Sequence, residues 1–255
     1  MPKVSVVMAV YNTKEEWLRE AIESILHQTY TDFEFIIVND GSTNNAEEVI
    51  LSYQDDRIKY IKQANQGPGV AANNGLDVAQ GEYIARMDSD DISLPQRFKK
   101  QVEFLNQNPD VSIVGTDHEY IPSGRIAKMC KYPKYLDFLR GNSIGQPTVM
   151  FRRLDFEKYH LRYDPAYLCE DYELWSRAIR YVKFANLQEV LLKYRWHDDN
   201  RSKPTRVYEL SVKKVRQNML NFLTTDFMLQ QSILMMLYQM PNRKKLLYEK
   251  FSNRK

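Results

Sequence analysis

A short apolar run, Tyr83-Ile84-Ala85-Arg86-Met87, ends in Asp88-Ser89-Asp90-Asp91, which packs three carboxylates into four positions. Like charges this close repel, so something positive is expected beside them. A strand leaving a sheet at Met87 would carry Asp88 and Asp90 on one side of the extended chain. They would then stand at the strand's carboxyl end, where open α/β sheets bind ligands. Two hard oxygen donors one residue apart suit Mg²⁺ or Mn²⁺ carrying a diphosphate. The plainer alternative is a solvated acidic turn, with Asp91 or Ser93 capping a helix that Pro95 opens.

The chain before this cluster alternates strand and helix. Val4 to Val10 is a continuous apolar strand that stops at Tyr11-Asn12, and Thr13 and Glu16 have the spacing of a capping box for the helix that follows. Leu18, Ala21, Ile22, Ile25 and Leu26 give that helix one apolar face. Phe33 to Val38 is a second strand, broken at Asn39-Asp40-Gly41-Ser42, with a short helix from Ala46 to Ser52. Ile58 to Ile61 is a third, and Tyr83 to Met87 a fourth. This order predicts a parallel sheet with a nucleotide-binding crevice along the polar strand ends. Between the third and fourth strands, Gly67-Pro68-Gly69 suits a tight turn into a helix, but lacks the spacing of a Rossmann fingerprint or a P-loop.

With 255 residues and 43% apolar content, the chain can bury a large core, or a domain plus a helical appendage. Its net charge of +3 hides an asymmetry: Lys213, Lys214, Arg216, Arg243, Lys244, Lys245, Lys250, Arg254 and Lys255 make the C-terminal segment basic and suited to an anionic surface. Two cysteines, Cys130 and Cys169, form neither a disulfide framework nor a metal-ligand pattern, which favours a reducing compartment, the cytoplasm. The start reads as a strand rather than a signal peptide, and no run of about 18 apolar residues predicts a membrane span.

Four motifs now stand in order: Val7-Met8-Ala9-Val10-Tyr11-Asn12, Ile37-Val38-Asn39-Asp40-Gly41-Ser42, Met87-Asp88-Ser89-Asp90-Asp91 and Glu170-Asp171-Tyr172-Glu173-Leu174-Trp175. Together they resemble glycosyltransferase family 2. The resemblance covers roughly residues 1 to 200. It implies a GT-A fold, an α/β architecture with a Rossmann-like, mostly parallel sheet flanked by helices, here with a C-terminal helical extension. It also implies a nucleotide-sugar donor, a Mn²⁺ or Mg²⁺ cofactor and transfer with inversion. The expected division is a catalytic domain at 1–203 and a helical, basic extension at 204–255.

Carried over residue by residue, Tyr11 resembles the base-stacking position and Asp40 the acceptor of a uracil ring N–H, with Val10, Asn12, Gly67 and Ser89 beside them on the donor nucleotide. Asp88 resembles the ribose-contacting acid and Asp90 the metal ligand. Asp171 matches the general base, with Glu170 positioning it. Gln146, before Pro147-Thr148, matches a residue that meets the sugar or acceptor. His197 is a possible further metal ligand, and Arg201 or Lys203 could neutralise phosphate. For each the bland alternative is a loop aromatic, an Asp-Gly turn, a helix cap or a solvated histidine. The strand from Leu191 to Trp196 closes the domain, and the hairpin of Glu119-Tyr120-Ile121 and Arg125-Ile126-Ala127 is where acceptor-facing structure is expected.

The expected activity is a single in-line displacement from a UDP-sugar to a hydroxyl of a glycan or lipid-linked saccharide in surface polysaccharide or lipopolysaccharide synthesis. Nucleic acid is not an expected partner. A sugar nucleotidyltransferase would share the sheet and the acids, but normally shows a glycine-rich basic loop after its first strand, which Tyr11-Asn12-Thr13-Lys14 is not. A noncatalytic binding module would need no candidate base. Beyond Val207 the chain reads as helical, and its methionine-rich stretch from Phe227 to Met240 suits either peripheral contact with the inner face of the cell membrane or packing against the catalytic domain.

Overall fold

Apolar runs buried on both faces, with the half-exposed edge strand Ile58–Gln63 beside them, make the parallel half of the sheet. In the computed structural model, which describes residues 1–198, 200, 203 and 205–224, these are β1 (Val4–Val10), β2 (Phe33–Asp40), β3 (Ile58–Gln63) and β4 (Tyr83–Asp88). Helices α1 (Glu15–Leu26), α2 (Ala46–Leu51) and α3 (Pro68–Val78) connect them. The spatial order is β3-β2-β1-β4. The chain therefore winds outward from β1 and returns to its other side, making a topological switch point between β1 and β4. Register places Ala9 beside Asp88 and Val10 beside Asn39, so the polar strand ends line up along one edge.

Beyond β4 the sheet becomes mixed. β8 (Met150–Arg152) pairs antiparallel with β4, and β6 (Val111–Ile121) pairs antiparallel with β8. β9 (Lys183–Arg195) runs parallel to β6, the two-residue β5 (Ile92–Ser93) pairs with β9, and β7 (Arg125–Ala127) forms the expected hairpin on β6. β6 runs on past Gly115 and β9 begins well before Leu191, so both strands are longer than their apolar runs. The extra length of β6 is carried by Thr116, Asp117 and His118, polar residues that are nevertheless buried. Pairing with neighbours here overrides local polarity.

Two apolar layers flank the sheet. On one, Leu18, Ile22 and Ile25 of α1 pack with Phe98 and Val102 of α4 (Arg97–Gln107). On the other, Ala72 and Leu76 of α3 pack with Leu174 and Trp175 of α7 (Glu170–Ala178) and with Val215 and Met219 of α8 (Arg206–Leu223). Helix α8 thus packs back on the α3–α7 side of the sheet. Tyr135 Oη, from α5 (Tyr135–Arg140), donates to its Met219 carbonyl at 2.9 Å. The stretch from Phe227 to Met240, the basic residues after it and Arg201 lie outside the described residues. Among the described residues no helix is long and apolar enough to cross a membrane.

Neither the capping box expected at α1 nor the α4 cap of the plainer alternative forms. The N-cap of α1 is Lys14, without a side-chain cap, because the Thr13 hydroxyl lies instead 2.6 Å from Ser89 Oγ. Helix α4 is preceded by Gln96; Asp91 is buried against the Arg195 backbone, and Ser93 takes a hydrogen bond from Gln28.

Gly41 holds the turn after β2 at φ +71°, and a Cβ there would lie 2.7 Å from the Asn65 nitrogen. Both the conformation and the close approach favour glycine. Gly41→Ala is expected to lower unfolding free energy by about 1–3 kcal/mol, read from the urea midpoint; an unchanged midpoint would show that this contact is not needed.

Candidate active site

The positive partner demanded by the acid cluster comes from three arginines. Arg86, within β4, is buried, and a terminal nitrogen of its guanidinium lies 3.8 Å from Asp88 Oδ1. Arg97 lies beneath, fully buried, donating to the Arg86 carbonyl at 2.6 Å and to Gln101 Oε1 at 3.1 Å. Arg195, at the end of β9, donates from its backbone to Asp91 Oδ1 at 2.7 Å and from Nε to the Asp90 carbonyl at 2.8 Å. Burial pushes the Asp91 carboxyl well above the usual range, and Asp90 and Asp88 push it further. Burial also draws the Arg97 guanidinium down to about 9, against the pull of Asp91 and Asp88.

The acids above this layer are accessible in part. Asp90 Oδ2 lies 2.8 Å from His197 Nε2, and the His197 ring sits 4.7 Å from the Trp17 ring of α1. A carboxylate oxygen and an imidazole nitrogen that converge in this way fit a divalent cation that takes its remaining ligands from a diphosphate. Among the described residues no set of three or more His, Cys, Asp or Glu is spaced to hold a metal by itself.

The expected nucleotide residues follow the same edge. Tyr11, just past β1, is half exposed. Asn12 has φ +51°, a left-handed conformation that asparagine tolerates. Its backbone donates to Ser42 Oγ at 3.1 Å and its Oδ1 accepts from the Thr43 N–H at 2.8 Å, tying the β1 end to the β2 loop. Asp40 is buried: Oδ1 accepts from Gln63 Nε2 and the Gln66 N–H, and Oδ2 from the Gly67 N–H at 2.9 Å. Asp40 thus shapes the Gln66–Gly67 loop, and of the roughly four acceptor positions of a carboxylate about one, on Oδ2, is left for a base. Gly67 takes φ +89° in that loop.

A second acidic centre lies at the start of α7. Glu170 and Asp171 occupy its first turn, and the N-cap itself is Cys169. Asn142 Nδ2 donates to Asp171 Oδ2 at 2.9 Å. Glu170 abuts the start of α3, since a Cβ on Gly69 would lie 3.6 Å from Glu170 Cγ and 3.5 Å from Tyr163 Cβ. The Cys169 thiol is buried and pushed up to about 11, chiefly by burial, so it is no nucleophile.

Tyr163 joins the two centres. Asn73 clamps its backbone with a reciprocal pair of hydrogen bonds at 2.9 and 3.0 Å, and Gln146 Nε2 donates to its hydroxyl at 2.8 Å. Arg86 lies over its ring at 5.6 Å. Burial pushes the phenol up to about 12, with Asp171 and Asp88 both acting in the same direction. Tyr163 therefore stays protonated.

Residues 5–162 match the sequence pattern described as "Glycosyl transferase family 2". The chain belongs to that family. It is 41% identical over 207 residues to an uncharacterized glycosyltransferase of Methanocaldococcus jannaschii, covering 76% of this chain and 71% of that one. It is 35% identical over 218 residues to an O-antigen biosynthesis glycosyltransferase of Escherichia coli, covering 80% and 84%. It spans 64% of the length of a relative from Rickettsia prowazekii. Among solved structures, S. aureus TarS 1–349 with UDP-GlcNAc superposes with a TM-score of 0.76 at 17% identity, covering 92% of this chain and 71% of that one. The mannosyltransferase PcManGT of Pyrobaculum calidifontis, with GDP-Man and Mn²⁺, superposes with 0.62 at 17% identity, covering 93% and 70%. The fold is the GT-A fold.

The matched pattern of this family 2 member takes in Val10, Tyr11, Asn12, Asp40, Gly67, Asp88, Ser89, Asp90 and Gln146, and ends before Glu170, Asp171 and His197. The structure nevertheless brings Asp171 to the Asn142–Gln146 loop and His197 to Asp90. Sequence reading missed Arg86, Arg97, Asn142, Tyr163 and Arg195. A cation inside an apolar strand, Arg86, was the one visible signal.

His118 of β6 is buried beside Gly145, and burial holds its imidazole down at about 4. The unfolded chain takes up this proton below about pH 6.5 and the folded chain only near 4, so acidification through that window favours unfolding. His118→Phe should remove about 2 kcal/mol of the stability lost between pH 7 and 4.5, measured by urea unfolding at both pH values. Equal losses in both proteins would place the titration elsewhere.

Proposed function

We propose that this protein is an inverting glycosyltransferase that moves a sugar from UDP to a hydroxyl of a glycan or lipid-linked saccharide in surface polysaccharide or lipopolysaccharide synthesis. The observation that carries this reading is the pair of acid centres, Asp88-Asp90 with His197 and Asp171 with Asn142, both of which act on the buried Tyr163. A displacement with inversion needs a base on one side of the anomeric carbon and a place for the leaving group on the other. Asp171 takes the proton of the acceptor hydroxyl, Asn142 orients its carboxylate, and Glu170 helps to set the helix start. Tyr11 stacks on the base, Asp40 offers its remaining acceptor position to a ring N–H, and Asp88 binds the ribose. Val10, Asn12, Gly67 and Ser89 shape the wall around the nucleoside. Asp90 and His197 would hold a Mn²⁺ or Mg²⁺ ion, which when bound neutralises the charge that develops on the diphosphate.

The complexes of TarS with UDP-GlcNAc and of PcManGT with GDP-Man and Mn²⁺ support a nucleotide-sugar donor and a divalent ion. The O-antigen relative supports a glycan acceptor. Residues 1–203 form the catalytic unit in this reading and 204–255 an extension. Lys213 and Lys214 on α8 are exposed and offer a basic face to the inner surface of the cell membrane, which suits a cytoplasmic enzyme with a lipid-linked acceptor.

Asp90→Ala should abolish transfer and weaken cation-dependent UDP binding in calorimetry; full activity in excess chelator would refute a metal role. UDP should bind more tightly than GDP or ADP, because Asp40 has room for about one further donor; equal affinities would remove Asp40 from base recognition. Asp171→Asn should keep UDP binding while transfer falls by about 10²-fold or more, and the anomeric coupling constant of the wild-type product should show inversion. Retention, or near wild-type turnover by the Asp171→Asn enzyme, would mean a different base or a different reaction.

A further inference from the structure

Four rings at the ends of β6 and β9 form a wall to which the donor chemistry gives no task. Tyr120 stands in register with Tyr194, and their rings lie 5.4 Å apart, edge to face. His118 lies 5.1 Å from Tyr120 and 5.7 Å from Tyr194, and Trp196 lies 6.1 Å from Tyr120 with 44% of its surface exposed. Alternation along an extended chain explains the arrangement. Tyr194 and Trp196 turn toward Tyr120 and His118, whereas Arg195 and His197 turn toward Trp17. One strand end therefore supplies both the cation side of the active site and this wall.

The wall also reaches the second acid. A Cβ on Gly145 would lie 3.3 Å from His118 Nδ1, so His118 packs directly on the loop that carries Asn142 and Gln146. Asn142 holds Asp171, and Gln146 holds Tyr163. Two polar atoms at this junction are buried without a protein partner: His118 Nδ1, in a side chain more than nine-tenths buried, and Gln146 Oε1. Such atoms are costly in a finished core and call for a ligand or a water.

Their chemistry selects the ligand. A pyranose has a face of C–H groups that stacks on aromatic rings and a rim of hydroxyls that both donate and accept hydrogen bonds. A neutral imidazole nitrogen and an amide oxygen match that rim. The Arg125 guanidinium, exposed and 4.2 Å from the Tyr120 ring, adds donors at its outer edge. A purely apolar partner would leave both buried polar atoms unpaired.

We propose that His118, Tyr120, Tyr194 and Trp196 form the acceptor subsite, on which the terminal pyranose of the acceptor glycan stacks with a hydroxyl toward Asp171. His118 Nδ1 and Gln146 Oε1 bind its other hydroxyls. This rests on the glycosyl-transfer reading, and the test separates the two.

Methyl pyranosides in the gluco, galacto, manno and 2-acetamido-2-deoxy-gluco configurations are titrated into the full chain with UDP present, because a methyl aglycone is too small to stack by itself. Saturation-transfer NMR should show contact through the C–H face of at least one of them. Trp196→Ala and Tyr120→Ala should each weaken that binding tenfold or more, and Tyr120→Phe, which keeps the ring, should stay within threefold. Calorimetry with UDP on the same proteins reads the donor side separately. Absence of transfer to every pyranoside in the wild-type protein, or equal binding by Trp196→Ala and Tyr120→Ala, overturns the subsite. Absence of UDP binding in the wild-type protein overturns the donor reading, while the ring variants still decide whether the wall binds sugar.

Discussion

The site depends on the balance between three carboxylates at the end of β4 and the guanidinium groups packed beneath and beside them. Asp88, Asp90 and Asp91 repel one another, and a strand that ends in all three needs compensation from the protein itself. Arg86 and Arg97 supply it from within the core, at the cost of burying two cations, and Arg195 supplies it from β9 through its backbone N–H and Nε. The division of labour follows from burial. Asp91, with almost no exposed surface, faces inward to the Arg195 backbone, while Asp88 and Asp90 remain partly exposed.

This balance also ties the two halves of the sheet together. β4 belongs to the parallel half, and β9 to the mixed half on the far side of β8 and β6. Arg195 bridges them by reaching back to residues 90 and 91, and it also pairs with Glu20 of α1. Trp17 of α1 lies against both the Arg195 guanidinium and the His197 ring. A helix laid down by the first strand-helix unit thus sets the position of a histidine almost two hundred residues later. His197 meets Asp90 because the chain between them is closed at this point.

The parallel half was legible in the sequence because β1, β2 and β4 are apolar on both faces and each ends in residues that break a strand: Tyr11-Asn12, Asp40-Gly41, Asp88-Ser89. The mixed half was not. β8 is three residues long, and β6 hides its length behind Thr116, Asp117 and His118, which are polar yet buried, the first two paired with β9 and the third with β7. The candidate site divides in the same way. Asp40, Asp88, Asp90 and Asp171 stand in recognisable motifs, whereas Arg97 and Tyr163 have no local pattern that marks them. A buried arginine looks like a surface arginine until the sheet above it is in place. Thr13 shows the opposite case: the capping spacing is a real pattern, but Thr13 turns to Ser89. Asp40 keeps its place before the Gly41 turn and also accepts three hydrogen bonds from the loop at residues 63–67, which no local pattern marks.

Tyr163 shows how the fold keeps the two acid centres distinct. Two anionic sites that merged would share protons and lose separate roles. Here a phenol that does not ionise near neutrality lies within the field of both, fixed by Asn73 on its backbone, by Gln146 on its hydroxyl and with Arg86 over its ring. Arg86 also faces Asp88. The group that compensates the β4 acids therefore also packs on the side chain that feels both them and Asp171. Displacing Arg86 would disturb both centres together, which couples charge compensation at the donor edge to the placement of the candidate base.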